Sequence, residues 1–322
     1  MRLPSLLAAS FMVLPMVLGA SSSLGQNYPD KPVRIIGAEA GGGADATARL
    51  IAQGLSANLG QQFIVDNRGG AGGAIAAQAV SKAPPDGYTL LIYSSVMWIA
   101  PLLQEVSWDP FRDFAPVSLA ANSPNVLVVH PSVPARTVQE LIALAKAKPS
   151  TLNYASGGSG SSPHLAAELF NSMAGIKLVR IPYKGIGAAI SDLIAGQVEL
   201  TFGAAGSVAP HIKSGRLRAL GVTGAQPSLS FPGVPTVASS GLPGYEAQTI
   251  YGMWSTARTP AAVITRLNSE LVRVLGQADI KAKLLGFGVE PVASTPDRLT
   301  AFMKSDSAVM GKLIKDAGIR AE

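Results

Sequence analysis

The chain has 322 residues, 48% of them hydrophobic and 14% charged, with no cysteine and a formal net charge of +6. That is more chain than one core usually serves, so two domains are expected, and the absence of cysteine excludes a disulfide framework and a thiolate metal site. Basic residues such as Lys82, Arg112, Lys146, Lys177, Arg216 and Arg273 are scattered without a five-residue cluster, which excludes the basic stripe of a nucleic-acid binder and leaves a weak bias toward anionic ligands.

Residues 1–26 read as a secretory signal peptide: Arg2 gives a positive n-region, Leu6 to Leu18 an apolar h-region, and Ala20 to Gly25 a small-residue run suited to cleavage. A membrane anchor is the competing reading, but the run is short for a span and Pro4 and Pro15 interrupt it. The mature chain is expected to be exported as a soluble monomer. No later segment approaches the roughly 20 apolar residues of a membrane helix.

VRIIG (33–37) predicts a buried strand, followed by Gly41, Gly42 and Gly43 in a loop and a helix over 46–60 that stops at Gly60. QFIVDN (62–67) predicts a second strand, RGGAGG (68–73) a glycine turn, 74–83 a small-residue helix, and a Pro-Asp-Gly turn introduces a third strand before Ser94 and Ser95. This alternation predicts a parallel sheet with crossover helices. VSLA and NVLVVH, within 108–130, read as two strands leaving the first unit, and a capping-box-like Thr137 to Glu140 opens a helix. LNYASGGSGSSPHLAAELFNSMAG (152–175) repeats the opening design of strand, small-residue loop and helix. Further strands are expected at 177–185, 198–205 and 217–223, with a helix over 188–197. IYGMWST (250–256) predicts a strand, 260–276 a strong helix, and two more helical stretches end the chain. Those helices lack a sheet of their own, so they are expected to return to the first unit: residues 27–125 with 249–322 form one lobe, 126–248 the other, and two strands cross between them.

Ligands of open α/β sheets sit beyond the carboxyl ends of strands, at helix N-termini. The opening loop imitates a dinucleotide-binding turn, with Asp66 after the second strand, but GGGADA places Ala46 where the third glycine of G-x-G-x-x-G belongs. SGGSGSSPH (156–164) offers a secreted serine hydrolase Ser159 or Ser161 with His164, although G-x-S-x-G does not occur there. His130, His164 and His211 lack metal-ligand spacing, and no cofactor is expected. What remains is anion binding by free N–H groups and hydroxyls at AGGGAD (40–45) and SGGSGSS (156–162), one loop per lobe, closing on a small carboxylate. A plain strand-to-helix turn is the alternative for either loop taken alone.

YPDKPVRII with GGGAD, LGQQFIVDNRGGAGG, APPDGYTLL, LNYASGGSGSSPHLAAELF, VRIPYKG, LIAGQVEL, LRALGVT and VPTVASSGLPGYE occur in that order from Tyr28 toward the C-terminus. In these segments the chain resembles the Bug family, the periplasmic substrate-binding receptors of tripartite tricarboxylate transporters. The resemblance implies a two-lobed α/β periplasmic binding protein of the Venus-flytrap kind, each lobe a mainly parallel sheet flanked by helices, hinged on two crossing strands. It implies a non-enzymatic protein of the periplasm, a small carboxylate ligand, and the transmembrane components of such a transporter as partner. It implies that main-chain groups, hydroxyls and water, rather than arginine, hold the carboxylate. Carried over by position, the first-lobe site covers Ala38, Glu39, Ala40, Gly41, Gly42, Gly43 and Asp45, together with Ser94 and Ser95. The second-lobe site covers Ser159, Gly160, Ser161, Ser162 and His164, then Tyr183, Lys184 and Gly185, and Gly203 with Ala204. Where many relatives have an apolar, proline-containing stretch before the glycines, this chain has Gly37, Ala38, Glu39 and Ala40, which adds a carboxylate near the cleft or, if Glu39 turns outward, to the solvent.

Overall fold

The computed structural model describes residues 28–37, 40, 42–69, 74–183 and 186–320. Strand and helix alternate through the first half as β1 (Val33–Gly37), α1 (Gly42–Leu59), β2 (Phe63–Asn67), α2 (Ala74–Ser81), β3 (Thr89–Ser94), α3 (Val96–Leu103) and β4 (Phe114–Val129). After α4 (Val138–Ala147) the pattern resumes with β5 (Asn153–Ser156), α5 (Ser162–Ala174), β6 (Val179–Pro182), α6 (Ile186–Ile194), β7 (Leu200–Ala204), α7 (Ala205–Lys213) and β8 (Arg218–Val222). The chain then runs through β9 (Gln248–Thr256), α8 (Ala261–Gly276), α9 (Ala278–Gly286), β10 (Glu290–Pro291) and α10 (Pro296–Asp316).

One mixed sheet runs through the molecule in the order β2-β1-β3-β9-β4-β7-β5-β6, with β8 and β10 also paired to β4. β1 is parallel to β2 and β3, and β5 is parallel to β6 and β7, as the alternation predicts. β9 is antiparallel to both β3 and β4, and β7 is antiparallel to β4. VSLA and NVLVVH are therefore not two strands but parts of one 16-residue strand. Its first part pairs with β9 as far as Pro124↔Gln248, and its last part pairs with β7 from Asn125↔Ala204 onward. Proline is tolerated in this long strand because the register shifts between Pro116 and Ser118 and pairing changes partner after Pro124.

The register decides where a site can form. Ser94, the last residue of β3, lies level with Tyr251 of β9, which lies level with Ala121 of β4. Ala204, the last residue of β7, lies level with Asn125 of β4. The carboxyl ends of two oppositely directed sets of strands thus face each other across the middle of β4, roughly 13 Å apart for four residues at about 3.3 Å each.

The core follows the same plan. On one face of the sheet Ile51 and Leu55 of α1 pack with Val263, Leu267, Leu271 and Val274 of α8 over Val33, Ile35 and Met253. Glu270 of α8, 3% exposed, accepts from Asn58 of α1 at 3.3 Å and from Arg273 at 3.3 Å, which compensates its buried charge. On the other face Trp98, Trp254 and Phe302 form one aromatic group and Phe170, Phe202 and Tyr245 another, within a single core. A third core joins α6 and α7 to Val126 and Val128.

Two helices differ from the sequence expectation by their presence. α3 contains Pro101 and buries Met97, Trp98, Ile99 and Ala100, so it has no polar face and no helical period to read; α7 contains Pro210. α1 begins at Gly42 rather than 46, so two of the three glycines belong to its first turn. A Cβ on Gly43 would stand 2.5 Å from the Tyr251 hydroxyl, so close packing rather than loop flexibility requires glycine there.

Candidate ligand-binding cleft

Helices α1, α3, α5 and α7 each follow a strand that ends near the middle of β4. Their first turns carry unpaired N–H groups and a partial positive charge toward the same region. A cavity of 160 Å³ there is walled by Ser94, Ser95, Gly160, Ser162, Gln248 and Thr249, among others. Four of these are sequence-predicted site residues, contributed by both halves of the sheet. A larger cavity of 310 Å³ lies beside Asn122, Gln226, Glu246, Gln248, Glu290 and Arg298, and no predicted site residue lines it. The smaller cavity is lined by the starts of α3 and α5, and no residue of α1 or α7 walls it.

On the β3 side, Ser95 is 8% exposed and stands at the N-cap of α3 without using its hydroxyl as a cap. Ser94 Oγ accepts from Val96 N at 3.4 Å. Gly42 and Gly43 lie in the first turn of α1, and Ala40 is exposed just before it. Asp45 is directed into a network: its carboxylate accepts from Arg49 Nε and Asn67 Nδ2, each at 3.0 Å, bracing α1 against the end of β2. Ala38, Glu39 and Gly41 lie outside the described residues.

The serine loop between β5 and α5 rests on a side chain that sequence reasoning did not select. Arg180 of β6, level with Tyr154 of β5, donates from Nε to Ser156 Oγ at 2.9 Å, from Nη1 to Ser159 Oγ at 3.1 Å and from Nη2 to the Gly157 carbonyl at 2.9 Å. The fork fixes three points of the loop and places a positive charge beneath it. By accepting from a guanidinium, the Ser159 hydroxyl becomes a better donor of its own proton to an anion. The only hint in the sequence was a charge inside the otherwise apolar LVRIP.

The rest of the loop is equally defined. Ser162 Oγ accepts from Asn125 Nδ2 at 2.7 Å, which ties the start of α5 to the partner change on β4. His164, 5% exposed, accepts at Nδ1 from Gly160 N at 3.1 Å. Ser161 Oγ is buried without a hydrogen-bond partner among the described residues. The hydrogen bonds of the loop are those of a positioned turn: Ser159 accepts from Arg180, Ser161 makes no bond to a described residue, and His164 Nδ1 accepts from backbone.

The remaining predicted positions lie around this loop. Tyr183 donates its hydroxyl to Asp192 at 2.8 Å, and burial, with that hydrogen bond adding to it, pushes the phenol up to about 12. Lys184 and Gly185 lie outside the described residues. Gly203 packs under Val208, and Ala204 is the N-cap of α7. From the C-terminal part of the chain comes a cavity residue with no sequence signal: Asp306 of α10 accepts from Trp98 Nε1 at 2.6 Å. Burial raises its pKa against the lowering effect of that bond, and Glu246 raises it further. The two halves also touch across the cleft. Leu103 of α3 lies where a Cβ on Gly160 would stand, and the Phe287 carbonyl lies against Gly206 of α7.

A profile described as the tripartite tricarboxylate transporter family receptor (TctC) matches residues 47–319. The chain is 37% identical over 297 residues to a protein of the tcbD–tcbE intergenic region of a Pseudomonas species, covering 91% of this chain and 88% of that one. It is 34% identical over 297 residues to Protein BugT of Bordetella pertussis, covering 91% of each. A solved R. palustris protein with adipate superposes with a TM-score of 0.76 at 35% identity, covering 91% of this chain and 99% of that one. Among the described residues no helix is long and apolar enough to cross a membrane.

Proposed function

The chain belongs to the tripartite tricarboxylate transporter receptor family, and from that premise we infer that it captures a small carboxylate between the facing strand ends and delivers it intact to the transmembrane components of such a transporter. The observation that carries the reading is the convergence of helix N-termini and serine hydroxyls from both halves of the sheet on one cavity. Free N–H groups and hydroxyls are donors, and a carboxylate is the acceptor they suit. At 160 Å³ the cavity is below the roughly 300–1,000 Å³ of a drug-sized pocket, which favours a small acid. The adipate of the R. palustris relative is such an acid. A receptor needs no nucleophile, and the family of receptors to which the chain belongs supports that reading over the serine hydrolase.

We take the lobes to be 27–125 with 249–322, and 126–248. Two features support that division: β4 exchanges β9 for β7 between Pro124 and Asn125, and α8 packs on α1. Export through the leader at residues 1–26, and work in the periplasm as a monomer, complete the reading. The leader lies outside the described residues.

The test is ligand capture. Protein purified under native conditions is weighed intact, any released small molecule is identified, and thermal shifts are recorded with adipate and shorter di- and tricarboxylates. An intact carboxylate carried by the protein, or a shift with one of the panel, is the expected result. No adduct and no shift from any carboxylate would end the reading.

A further inference from the structure

Tyr251 sits at the centre of the seam. Its neighbours in the sheet are Ser94 at the end of β3 and Ala121 on β4, and its ring belongs to the core beneath α1 and α8. The hydroxyl reaches the first turn of α1, where a Cβ on Gly43 would stand 2.5 Å from the oxygen and 3.0 Å from Cζ. The residue is 8% exposed, yet the hydroxyl makes no hydrogen bond with any described residue. The oxygen itself is not sealed from solvent, so it is open to water or to a ligand that would complete it. Burial pushes its pKa up to about 12, so at neutral pH it is a donor and not an anion.

The position is specific. α1 is an 18-residue helix, and its first turn presents unpaired N–H groups and the positive end of the helix dipole. A hydroxyl donor set against that turn adds to those N–H groups, while the carboxylate of the turn, Asp45, is engaged by Arg49 and Asn67. The missing side chain of Gly43 lets the hydroxyl approach that turn. Ser94, directly across the strand pair from Tyr251, lines the 160 Å³ cavity, and Tyr251 stands beside it rather than in its wall. Resting on the carboxylate-receptor reading, the geometry points to Tyr251 as a ligand-binding residue whose hydroxyl, together with the first-turn N–H groups of α1, holds a carboxylate at the β3 end of the cleft. The serine loop over Arg180 then faces the opposite end, which suits an acid with two separated oxygen-bearing groups.

Tyr251→Phe deletes the hydroxyl and keeps the ring, so the core under α1 is preserved. Isothermal titration of the full mature chain uses whichever of adipate, succinate, malate and citrate binds the wild type most tightly. A hydrogen bond to a charged group predicts a loss of roughly ten- to a hundredfold in affinity. The ligand-free melting temperature stays level or rises, and the tyrosine difference absorbance produced by ligand in the wild type is diminished in the variant. Affinity within twofold of wild type would overturn the role of Tyr251 while leaving the receptor reading intact. A wild type that binds no carboxylate would remove the receptor reading and this inference together.

Discussion

Arg180 Nη1 donates to Ser159 Oγ at 3.1 Å, so the residue expected to meet the ligand is itself held by a cation that sequence reasoning had set aside. The two expectations fit together once the roles are separated. On the proposed function the hydroxyl is the group offered to the ligand, and the guanidinium positions the hydroxyl and polarises it. Lysine keeps the charge but cannot reproduce three bonds from one planar fork. Arg180→Lys and Arg180→Gln should both lower carboxylate affinity, each by about 1.5–3 kcal/mol, roughly tenfold or more. Calorimetry with the carboxylate identified by ligand capture checks this, and full affinity in the lysine variant would leave charge alone as the contribution.

Ser159 and Ser161 should part company when each is replaced by alanine. Ser161 Oγ is buried and unpartnered among the described residues, so removing it relieves a desolvation penalty of about 1–3 kcal/mol. Ser161→Ala should leave the ligand-free protein as stable or more stable while weakening ligand binding roughly ten- to a hundredfold. Ser159→Ala takes a partner from Arg180 and should lower both stability and affinity. Melting curves with and without ligand resolve the two patterns, and identical behaviour of the variants would show that the bond to Arg180 does not distinguish them.

The α/β alternation was legible because apolar runs and glycine-marked turns are local signals. The return of α8 to α1 was legible because a helix with Val263, Leu267 and Leu271 on one stripe must bury it somewhere. What escaped reading was set by tertiary packing. Nothing in VMWIAPLL separates a buried helix from a strand, and Pro101 argues against both. The continuity of β4 depends on partners distant in the chain, since Thr201 comes beside Val128 and Gln248 beside Pro124 only through folding. The serine loop showed its donors in the sequence, whereas Arg180, Tyr251 and Asp306 are placed by strands and a helix whose neighbours no spacing reveals.

Closure should be sensitive at Gly160. Its φ of +76° lies in the left-handed region, and a Cβ there would meet Leu103 Cδ1 at 2.4 Å. Gly160→Ala therefore combines a backbone cost of roughly 1 kcal/mol with a clash across the cleft. The clash is present only when the two halves meet, so affinity should fall more than ligand-free stability. Adding Leu103→Ala removes the obstructing atoms and should restore part of the affinity, but not the backbone cost. A double variant no better than Gly160→Ala would show that the contact does not limit closure.

Asp306 gives a prediction with a sign. Its folded-state pKa is raised, first by burial and then by Glu246, against the lowering by the Trp98 hydrogen bond. A carboxyl whose pKa is raised on folding binds its proton more tightly in the folded protein than in the unfolded chain. It carries no penalty below the unfolded value of about 3.9, and the penalty grows as pH rises through the folded value and is complete above it. Asp306→Asn keeps an oxygen that can accept from Trp98 Nε1 and removes the charge. The variant should thus melt at a higher temperature than wild type at pH 7, and the difference should shrink as pH falls toward 4. A difference independent of pH would assign the effect to packing, and a less stable variant at pH 7 would mean that the ionised carboxylate strengthens the Trp98 bond by more than its burial costs.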